Sequence, residues 1–450
     1  MLRYFLFFIV FFISLLSASF NAYAKEVVWV DTKQARLSVS PIETDWKNKV
    51  EASFSSQSSP LKVLIASRII FTTDAENLPS KLVSSANSYR LIGSFWVRDV
   101  KQYVWMLNYQ RLEQSIEVLR KFQYKYGQID DFYRLQPDIA PLKEWNIETR
   151  EYAVSLDSDF EGSNGQVFTQ ELVKLSQLTS RNVNIGIIDS GMSINSPMFR
   201  GIFPIDSWDA DFNIPGAVSE YNISHGNKVA SLLWGENNIS SSSKISPSLT
   251  QDANLIAIKA TMPWTSTLLS AFMRAESKGA DIINCSWLIS ALHAPLAQYL
   301  NYIIASPHAL KNPIIVAAEP PNIGNSNALS QIKGSISVSS TDFSGQLRNA
   351  AWSSRTTIAT PSYFRVANGK VGGELFSGTS ASTVLVSSLV AKLKYKWPKI
   401  TSYEVADILI RYSSLKKVTL KDSNEIKIYR VLDLAAFIKF LSNKDKKLHL

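Results

Sequence analysis

From about residue 140 onward, short apolar runs alternate with segments in which apolar side chains recur every three or four residues. This alternation predicts an α/β architecture, a mostly parallel sheet with helices covering its faces. The predicted strands cover residues 183–188, 255–259, 281–285, 314–318 and 336–341. One predicted helix begins at His225. Four others cover residues 265–278, 295–305, 380–396 and 402–413.

The preceding part of the chain has a different pattern. Its predicted elements are a strand at 63–71, a helix at 74–86, two strands within 89–107, a helix with Leu112, Ile116 and Leu119 on one face, and a strand at 129–135. The order β-α-β-β-α-β is typical of a small ferredoxin-like α+β unit. Residues 25–59 are polar and serine-rich, and no element is predicted there.

The first 24 residues have the features of a signal peptide. Arg3 is followed by an apolar run at 4–16 and by Ala22-Tyr23-Ala24, a small-x-small cleavage pattern. We expect cleavage after Ala24 and a secreted or periplasmic protein, rather than an uncleaved anchor, because a bilayer-spanning helix needs about 20 apolar residues. The predicted division is therefore a signal peptide at 1–24, an α+β domain at 25–139 and a larger domain at 140–450, with a mature form that does not span a membrane.

The composition and charge of the chain limit the size of its cores, its partners and its covalent cross-links. A chain of 450 residues with 46% hydrophobic residues can build more than one sizeable core. The formal net charge is +9, but no basic stripe interleaved with aromatic residues is present, so we expect no nucleic-acid partner and at most a loose attraction to an anionic envelope surface. Cys285 is the single cysteine, which excludes an intramolecular disulfide. We interpret it as a small buried hydrophobe rather than a reactive thiol.

Three short motifs carry the candidate chemistry: Asp189 in IIDSG, His225 in HGNKVA and Ser380 in SGTSAS. A serine hydroxyl is a weak nucleophile and needs an imidazole to take its proton, and the imidazole needs a carboxylate to hold the correct tautomer. The order Asp, His, Ser is that of subtilisin, and the motifs are separated by 36 and 155 residues. The sequence therefore predicts a serine-hydrolase triad.

With these motifs and intervals, residues 140–440 resemble the subtilisin-like serine proteases. The resemblance implies a three-layer fold with a mostly parallel central sheet, and an endopeptidase that works through an acyl-enzyme intermediate. It implies that Ser380 attacks the peptide carbonyl, that His225 transfers the proton and that Asp189 orients His225. It implies no required cofactor and no catalytic metal. Members of the family often carry structural calcium, but no calcium site is assigned here, because Asp206, Asp209 and Asp211 are as consistent with solvated loop acids as with ligands.

The sequence departs from the family pattern where the second oxyanion donor, an asparagine, is expected. Without a gap that position is Pro320, which has no donor; with two inserted residues it is Asn322, in a restored Asn-x-Gly. We favour Asn322. The family's Ser-Leu-Gly, which lines the substrate cleft, is here Ser286-Trp287-Leu288. The bulky Trp287 predicts a narrowed or reshaped pocket around these three substrate-binding residues.

The resemblance also gives the smaller domain a role, because many subtilisin-like proteases carry such a unit as an inhibitory propeptide. The expected partners are therefore a protein or peptide substrate and the chain's own propeptide, in a zymogen. A permanent accessory domain is the alternative for this unit. For the whole protein, a catalytically silent relative that binds a peptide or partner and an esterase on the same scaffold remain the rival hypotheses.

Overall fold

The structure is a computed structural model of the 450-residue chain. The residues that it describes are 36–40, 49–55, 60–73, 89–97, 102–109, 114–115, 118, 134–141, 162–193, 196, 199, 202–217, 224–235, 245–261, 264–289, 292, 294–307, 309, 311–320, 327–347, 352–367, 373–419 and 426–443. They form two compact units: one is built on the strands up to Pro141 and also includes the short segments 264–266 and 293–295, and the other is built on the remaining elements from Ser163 onward. The predicted signal peptide lies outside the described residues, and the predicted domain boundaries remain predictions.

The described strands of the first unit form one antiparallel sheet. Its strands are β1 (Arg36–Ser40), β2 (Lys49–Ser55), β3 (Pro60–Thr73), β4 (Tyr89–Val97), β5 (Gln102–Tyr109) and β6 (Arg134–Pro141). The order β6-β3-β5-β4 contains the four strands of the predicted ferredoxin-like unit. β2 pairs with the first half of the long β3, and β1 pairs with β2. These two strands lie in the segment for which the sequence predicted no element.

The last strand of this unit lies later in the chain than predicted. It covers Arg134–Pro141 in place of 129–135 and runs through Pro137, which lies opposite Ile69. Among the described strands β6 pairs with β3 alone, and an edge strand tolerates a residue without an N–H donor. The predicted helix at 74–86 lies outside the described residues, whereas residues 114, 115 and 118 of the second predicted helix are helical.

The second unit is built on a mixed ten-stranded sheet. Its strands are β7 (Asn184–Asp189), β8 (Asp206–Asp209), β9 (Ile214–Pro215), β10 (Asn254–Lys259), β11 (Ile282–Cys285), β12 (Ile314–Ala318), β13 (Ile336–Thr341), β14 (Ile358–Pro361), β17 (Ser413–Thr419) and β18 (Ile426–Leu432). Two further strands, β15 (Phe364–Val366) and β16 (Glu374–Phe376), form a separate antiparallel pair. The order is β17-β18-β14-β13-β12-β11-β7-β10-β8-β9. All neighbours are parallel except the two outermost pairs. The predicted mostly parallel sheet is confirmed.

Seven α-helices accompany this sheet within the described residues. They are α1 (Ser163–Ser176), α2 (His225–Trp234), α3 (Thr265–Ser277), α4 (Ala294–Ala305), α5 (Thr379–Lys396), α6 (Ser402–Arg411) and α7 (Leu434–Ser442). The prediction that the sixth helix continues to residue 413 was wrong, because Ser413 already pairs with Leu432 in the β17–β18 hairpin. None of the helices in the described ranges is both long enough and apolar enough to cross a bilayer.

Helix α5 is the centre of the second unit. From Thr379 to Lys394 every residue of this helix is buried, and the helix packs on β11, β12 and β13. A helix that is buried on all sides needs mostly small or apolar side chains around its circumference, and Ser, Thr, Ala, Val and Leu supply them here, with Lys392 and Lys394 the exceptions near its end. Ser380 therefore lies in the first turn of the most deeply buried helix of the protein's described part.

Candidate active site

Asp189 is the last residue of the buried strand β7. It is 0% exposed and lies opposite Lys259 of the parallel strand β10. The chain turns immediately after it, and Gly191 has a φ of +92°, in the left-handed region that glycine adopts without strain. The amide of Ser190 donates to Oδ1 of Asp189 over 2.7 Å. Strand and turn together hold the carboxylate at the carboxyl edge of the sheet.

His225 begins α2, and a close approach between backbones brings it to this edge. A Cβ on Gly226 would lie 2.3 Å from the carbonyl oxygen of Gly191, so a glycine is needed there. The Gly226 amide donates to Oγ of Ser190 over 3.0 Å, and Oγ of Ser224 donates to the Gly191 carbonyl over 3.1 Å. These bonds fasten the start of α2 to the turn after β7.

The carboxylate and the imidazole form a buried pair. Nδ1 of His225 lies 2.9 Å from Oδ1 and 3.0 Å from Oδ2 of Asp189. With its proton on Nδ1, the ring leaves Nε2 as the basic nitrogen. Nε2 is buried and has no hydrogen-bond partner among the described residues. The ring of Phe376 packs edge-on against the imidazole, with centroids 5.8 Å apart, and so limits its rotation.

Ser380 lies in the first turn of α5, after Gly378 with a φ of +84°. Free amides and the positive end of the helix dipole are found at this position, and both favour a negative charge. Oγ of Ser380 donates to the carbonyl of Ser286 over 2.8 Å, while Oγ of Ser286 donates to the carbonyl of Ser380 over 3.1 Å. The structure thus joins Asp189 to His225 and gives the Ser380 hydroxyl a different partner.

A buried polar chain supports this serine pair. Nδ2 of Asn284 donates to Oγ of Ser286 over 2.9 Å, and Oγ of Ser387 donates to Oδ1 of Asn284 over 2.9 Å. All of these residues are 0 to 1% exposed. Sequence reasoning did not single out Asn284 or Ser387. An amide inside the apolar run of β11 was the available signal, since a buried polar side chain requires partners.

The three predicted substrate-binding residues have different surroundings. Ser286 is buried in the chain just described, and Leu288 is half-buried. Trp287 is 2% exposed; its indole N–H donates to the carbonyl of Ile188 over 2.7 Å, and its ring packs against Phe272. The indole therefore lies against the strand that carries Asp189. The substrate-binding role of the three residues remains a prediction.

The predicted second oxyanion donor, Asn322, lies outside the described residues. The described chain reaches Pro320, and Glu319 before it is 0% exposed. The Glu319 carboxylate accepts hydrogen bonds from Oγ1 of Thr356, at 3.2 Å, and from Oγ of Ser337. Burial raises the pKa of this carboxyl, although the neighbouring hydroxyls lower it. A buried acid thus immediately precedes the segment that carries the predicted donor.

The three acids considered as calcium ligands are engaged with protein groups. Asp206 binds Arg274 through two hydrogen bonds of 2.6 Å. Asp209 lies 3.0 Å from Nζ of Lys259. Oδ2 of Asp211 accepts from the Thr261 amide over 2.8 Å. Across the residues that the structure describes, no group of three or more His, Cys, Asp or Glu side chains could hold a metal ion.

Comparison with protein families identifies the family of this chain. The model of the subtilase family of S8 peptidases matches residues 180–428, which include Asp189, His225 and Ser380. The chain belongs to the subtilase family. The resemblance drawn from the three motifs is confirmed, and so is the subtilisin-like α/β fold. No curated protein sequence matches this subtilase significantly.

Several solved structures are similar to this subtilase. Fervidolysin from Fervidobacterium pennivorans, a keratinolytic enzyme related to subtilisin, is 14% identical with a TM-score of 0.59; the alignment covers 83% of this chain and 61% of fervidolysin. MycP1 from Mycobacterium smegmatis is 17% identical, with 61% and 83% of the two chains covered and a TM-score of 0.46. A Pseudoalteromonas arctica protease is 14% identical, with 60% and 94% covered and a TM-score of 0.45. The chain thus spans less than two thirds of fervidolysin's length.

Proposed function

We propose that this subtilase is a secreted serine endopeptidase that cleaves peptide bonds through Asp189, His225 and Ser380. The observation that carries the proposal is the buried Asp189–His225 pair, with 2.9 Å between Nδ1 and Oδ1 and with Nε2 free to accept a proton. A carboxylate that fixes the tautomer of a neighbouring imidazole is what a serine nucleophile requires. Family membership and the position of Ser380 at a helix start support the same reaction.

In the proposed reaction the Ser380 hydroxyl first leaves the Ser286 carbonyl by rotating about its Cα–Cβ bond to another staggered position. Its oxygen then attacks the peptide carbonyl while Nε2 of His225 takes the proton. His225 returns this proton to the leaving amine, and an acyl-enzyme remains on Ser380. Water attacks the acyl group with the same imidazole as base, which releases the acid and restores the serine.

The tetrahedral intermediates carry a negative oxygen that needs donors. We assign this role to the backbone amide of Ser380, at the positive end of α5, and to the side chain of Asn322. Replacement of Asn322 by Ala should lower kcat by about 10² to 10³ with little change in KM, the cost of one such donor. An unchanged kcat would remove Asn322 from the site.

A fluorophosphonate probe tests the central proposal, because it labels only an activated serine. We expect labelling of the wild type, none of Ser380→Ala, and strongly reduced labelling of His225→Ala. Ser388→Ala is the matched control, since it removes another buried hydroxyl from α5 and should label normally. Failure of the wild type to label would favour a silent peptide-binding relative. Ester turnover without peptide cleavage would favour an esterase.

The smaller unit completes the proposal as an inhibitory propeptide removed by self-cleavage. Mass spectrometry of the secreted protein should show a new N-terminus between about residues 137 and 182 that is absent in Ser380→Ala. An intact chain in an enzyme that labels with the probe would make this unit a permanent accessory domain. A start at residue 25 in the intact form would establish removal of the signal peptide.

A further inference from the structure

The hairpin of β17 (Ser413–Thr419) and β18 (Ile426–Leu432) has one buried and one exposed face. On the buried face Tyr429 and Val431 are 2% and 6% exposed, and the Tyr429 hydroxyl donates to the carbonyl of Gly345 over 3.0 Å. Side chains alternate between the two faces along a strand. The residues next to Tyr429 along β18 therefore point away from the core.

The exposed face combines aliphatic and cationic side chains. Leu415, Ile426 and Ile428 are 61%, 63% and 52% exposed. The register places Leu415 opposite Arg430 and Ile428 opposite Lys417, so all five side chains share one surface. We call Leu415, Lys417, Ile426, Ile428 and Arg430 the outer hairpin face.

The charged side chains of the two described strands have one sign. Neither described strand contains an acidic residue, and each contains cations. Neither Lys417 nor Arg430 forms an ion pair with a described residue. The chain as a whole has a formal net charge of +9. A partner for this surface should therefore carry negative charge and also cover aliphatic side chains.

We propose that the outer hairpin face binds the surface of an anionic lipid bilayer. Branched aliphatic side chains gain free energy when they enter the boundary between headgroups and acyl chains, and lysine and arginine beside them are attracted to anionic headgroups. A hydrated polyanion would use the two cations but would leave the three aliphatic side chains in water. The combination therefore points to lipid.

Protein partners fit this surface less well. In a symmetric dimer through this face, Lys417 and Arg430 of one copy would approach the same cations of the other, and like charges oppose such pairing. Binding surfaces for other proteins are usually anchored by Trp, Tyr or Arg, and of these residue types the outer hairpin face contains Arg430 alone. The single aromatic residue of the two strands, Tyr429, points inward instead.

Vesicle co-sedimentation tests the proposal on the full chain with Ser380→Ala, which prevents self-digestion and makes the test independent of proteolytic activity. We expect binding to vesicles of phosphatidylglycerol and phosphatidylcholine, weaker binding in high salt, and little binding to phosphatidylcholine alone. The aliphatic variant I426S/I428S and the charge variant K417E/R430E should each bind at least about tenfold less.

Matched controls distinguish binding through the outer hairpin face from effects of net charge or of exposed apolar area in general. K333E/K399E changes the net charge by the same amount as K417E/R430E at two exposed lysines outside the hairpin, and F203S removes another exposed apolar side chain. Both should bind like the parent, and all variants should keep its thermal melting curve. Absence of anionic preference, equal losses in the controls, or a loss of self-association in place of a loss of lipid binding would overturn the proposal.

Discussion

At the scale of single residues, two buried carboxylates at the carboxyl edge of the sheet have contrasting partners. The carboxylate of Asp189 lies against the imidazole of His225, with 2.9 Å between Oδ1 and Nδ1. The carboxylate of Glu319 accepts from the neutral hydroxyls of Ser337 and Thr356. These hydroxyls lower the pKa of Glu319, but burial has the larger effect, so the pKa is raised.

Glu319→Gln should reveal this raised pKa as a pH dependence of stability. The unfolded carboxyl ionises near its ordinary pKa of 4.5, below that of the folded carboxyl, so the native state holds more protons between the two values. The contribution of Glu319 to the stability of the wild type should therefore fall as pH rises from about 4.5, whereas the neutral amide makes no such contribution. Denaturant unfolding across this pH range measures the difference.

The comparison is informative because Gln can accept from the same two hydroxyls. The stability of E319Q relative to the wild type should increase with pH up to the folded pKa of Glu319 and then level off. Parallel stability curves for the two proteins would show that the pKa of this carboxyl is the same in the folded and unfolded states.

At the scale of elements, the Asp189–His225 pair depends on how closely α2 approaches the turn after β7. Gly226→Ala places a Cβ 2.3 Å from the Gly191 carbonyl oxygen, so helix and turn must separate. We expect a loss of about 1–3 kcal/mol of stability from this overpacking. A displaced imidazole should also lower the rate of fluorophosphonate labelling by about a hundredfold, as a misplacement of about 1 Å can.

Gly186→Ala is the matched control for this substitution. It adds the same methyl group within β7, where the nearest atom would be 3.5 Å away, an ordinary packing distance. The control should label at the parental rate. Equal labelling by G226A and the parent would show that the close approach does not position His225.

Apolar patterning explains which elements could be predicted from the sequence. The strands that end at Asp189 and Ala318 are short apolar runs buried on both faces, and their predicted bounds agree with the structure to within one residue. The β17–β18 hairpin was missed because its outer face exposes aliphatic side chains, which obscures the usual alternation. Local patterns also cannot show that Ser380 bonds to Ser286, because 94 residues separate them.

The far end of α5 offers a second test at this scale. Lys392 is 3% exposed, and its Nζ donates to the carbonyl of Leu178 and, over 3.2 Å, to Oγ of Ser180. Burial lowers the pKa of Lys392 to about 8, and the charge of Asp252 opposes this effect. The unfolded lysine keeps its proton up to about pH 10.5, so it binds more protons than the native one above pH 8.

Lys392→Met should remove this contribution. In the wild type it makes stability rise between pH 8 and about 10.5, and in K392M the rise should be absent. Lys399→Met, at an exposed lysine just beyond the same helix, should keep the wild-type pH dependence. Urea unfolding at several pH values distinguishes these outcomes. A rise of the same size in K392M would assign it to other groups.

At the scale of the whole molecule, the reactivity of the single cysteine measures how often the central sheet of the larger unit opens. Cys285 is 0% exposed at the end of β11, between β7 and β12 in the centre of the sheet. Burial, and after it the negative charge of Asp189, raises the pKa of its thiol well above the ordinary value. The thiolate is the reactive form of cysteine. Cys285 is therefore protected in the native state in two ways, because reagents cannot reach it and because its thiol stays protonated.

Labelling with a thiol reagent should therefore require opening of the central sheet. We expect the native protein to react at least about a thousandfold more slowly than the urea-unfolded chain, at a rate that rises with denaturant as the unfolded population does. Cys285→Ser should show no labelling in either state, which confirms the reacting group. Native labelling at the rate of the unfolded chain would mean that β11 opens without global unfolding. Since β11 lies next to β7 and leads into Ser286, such opening would also release the two chain segments that hold Asp189 and Ser380 in place.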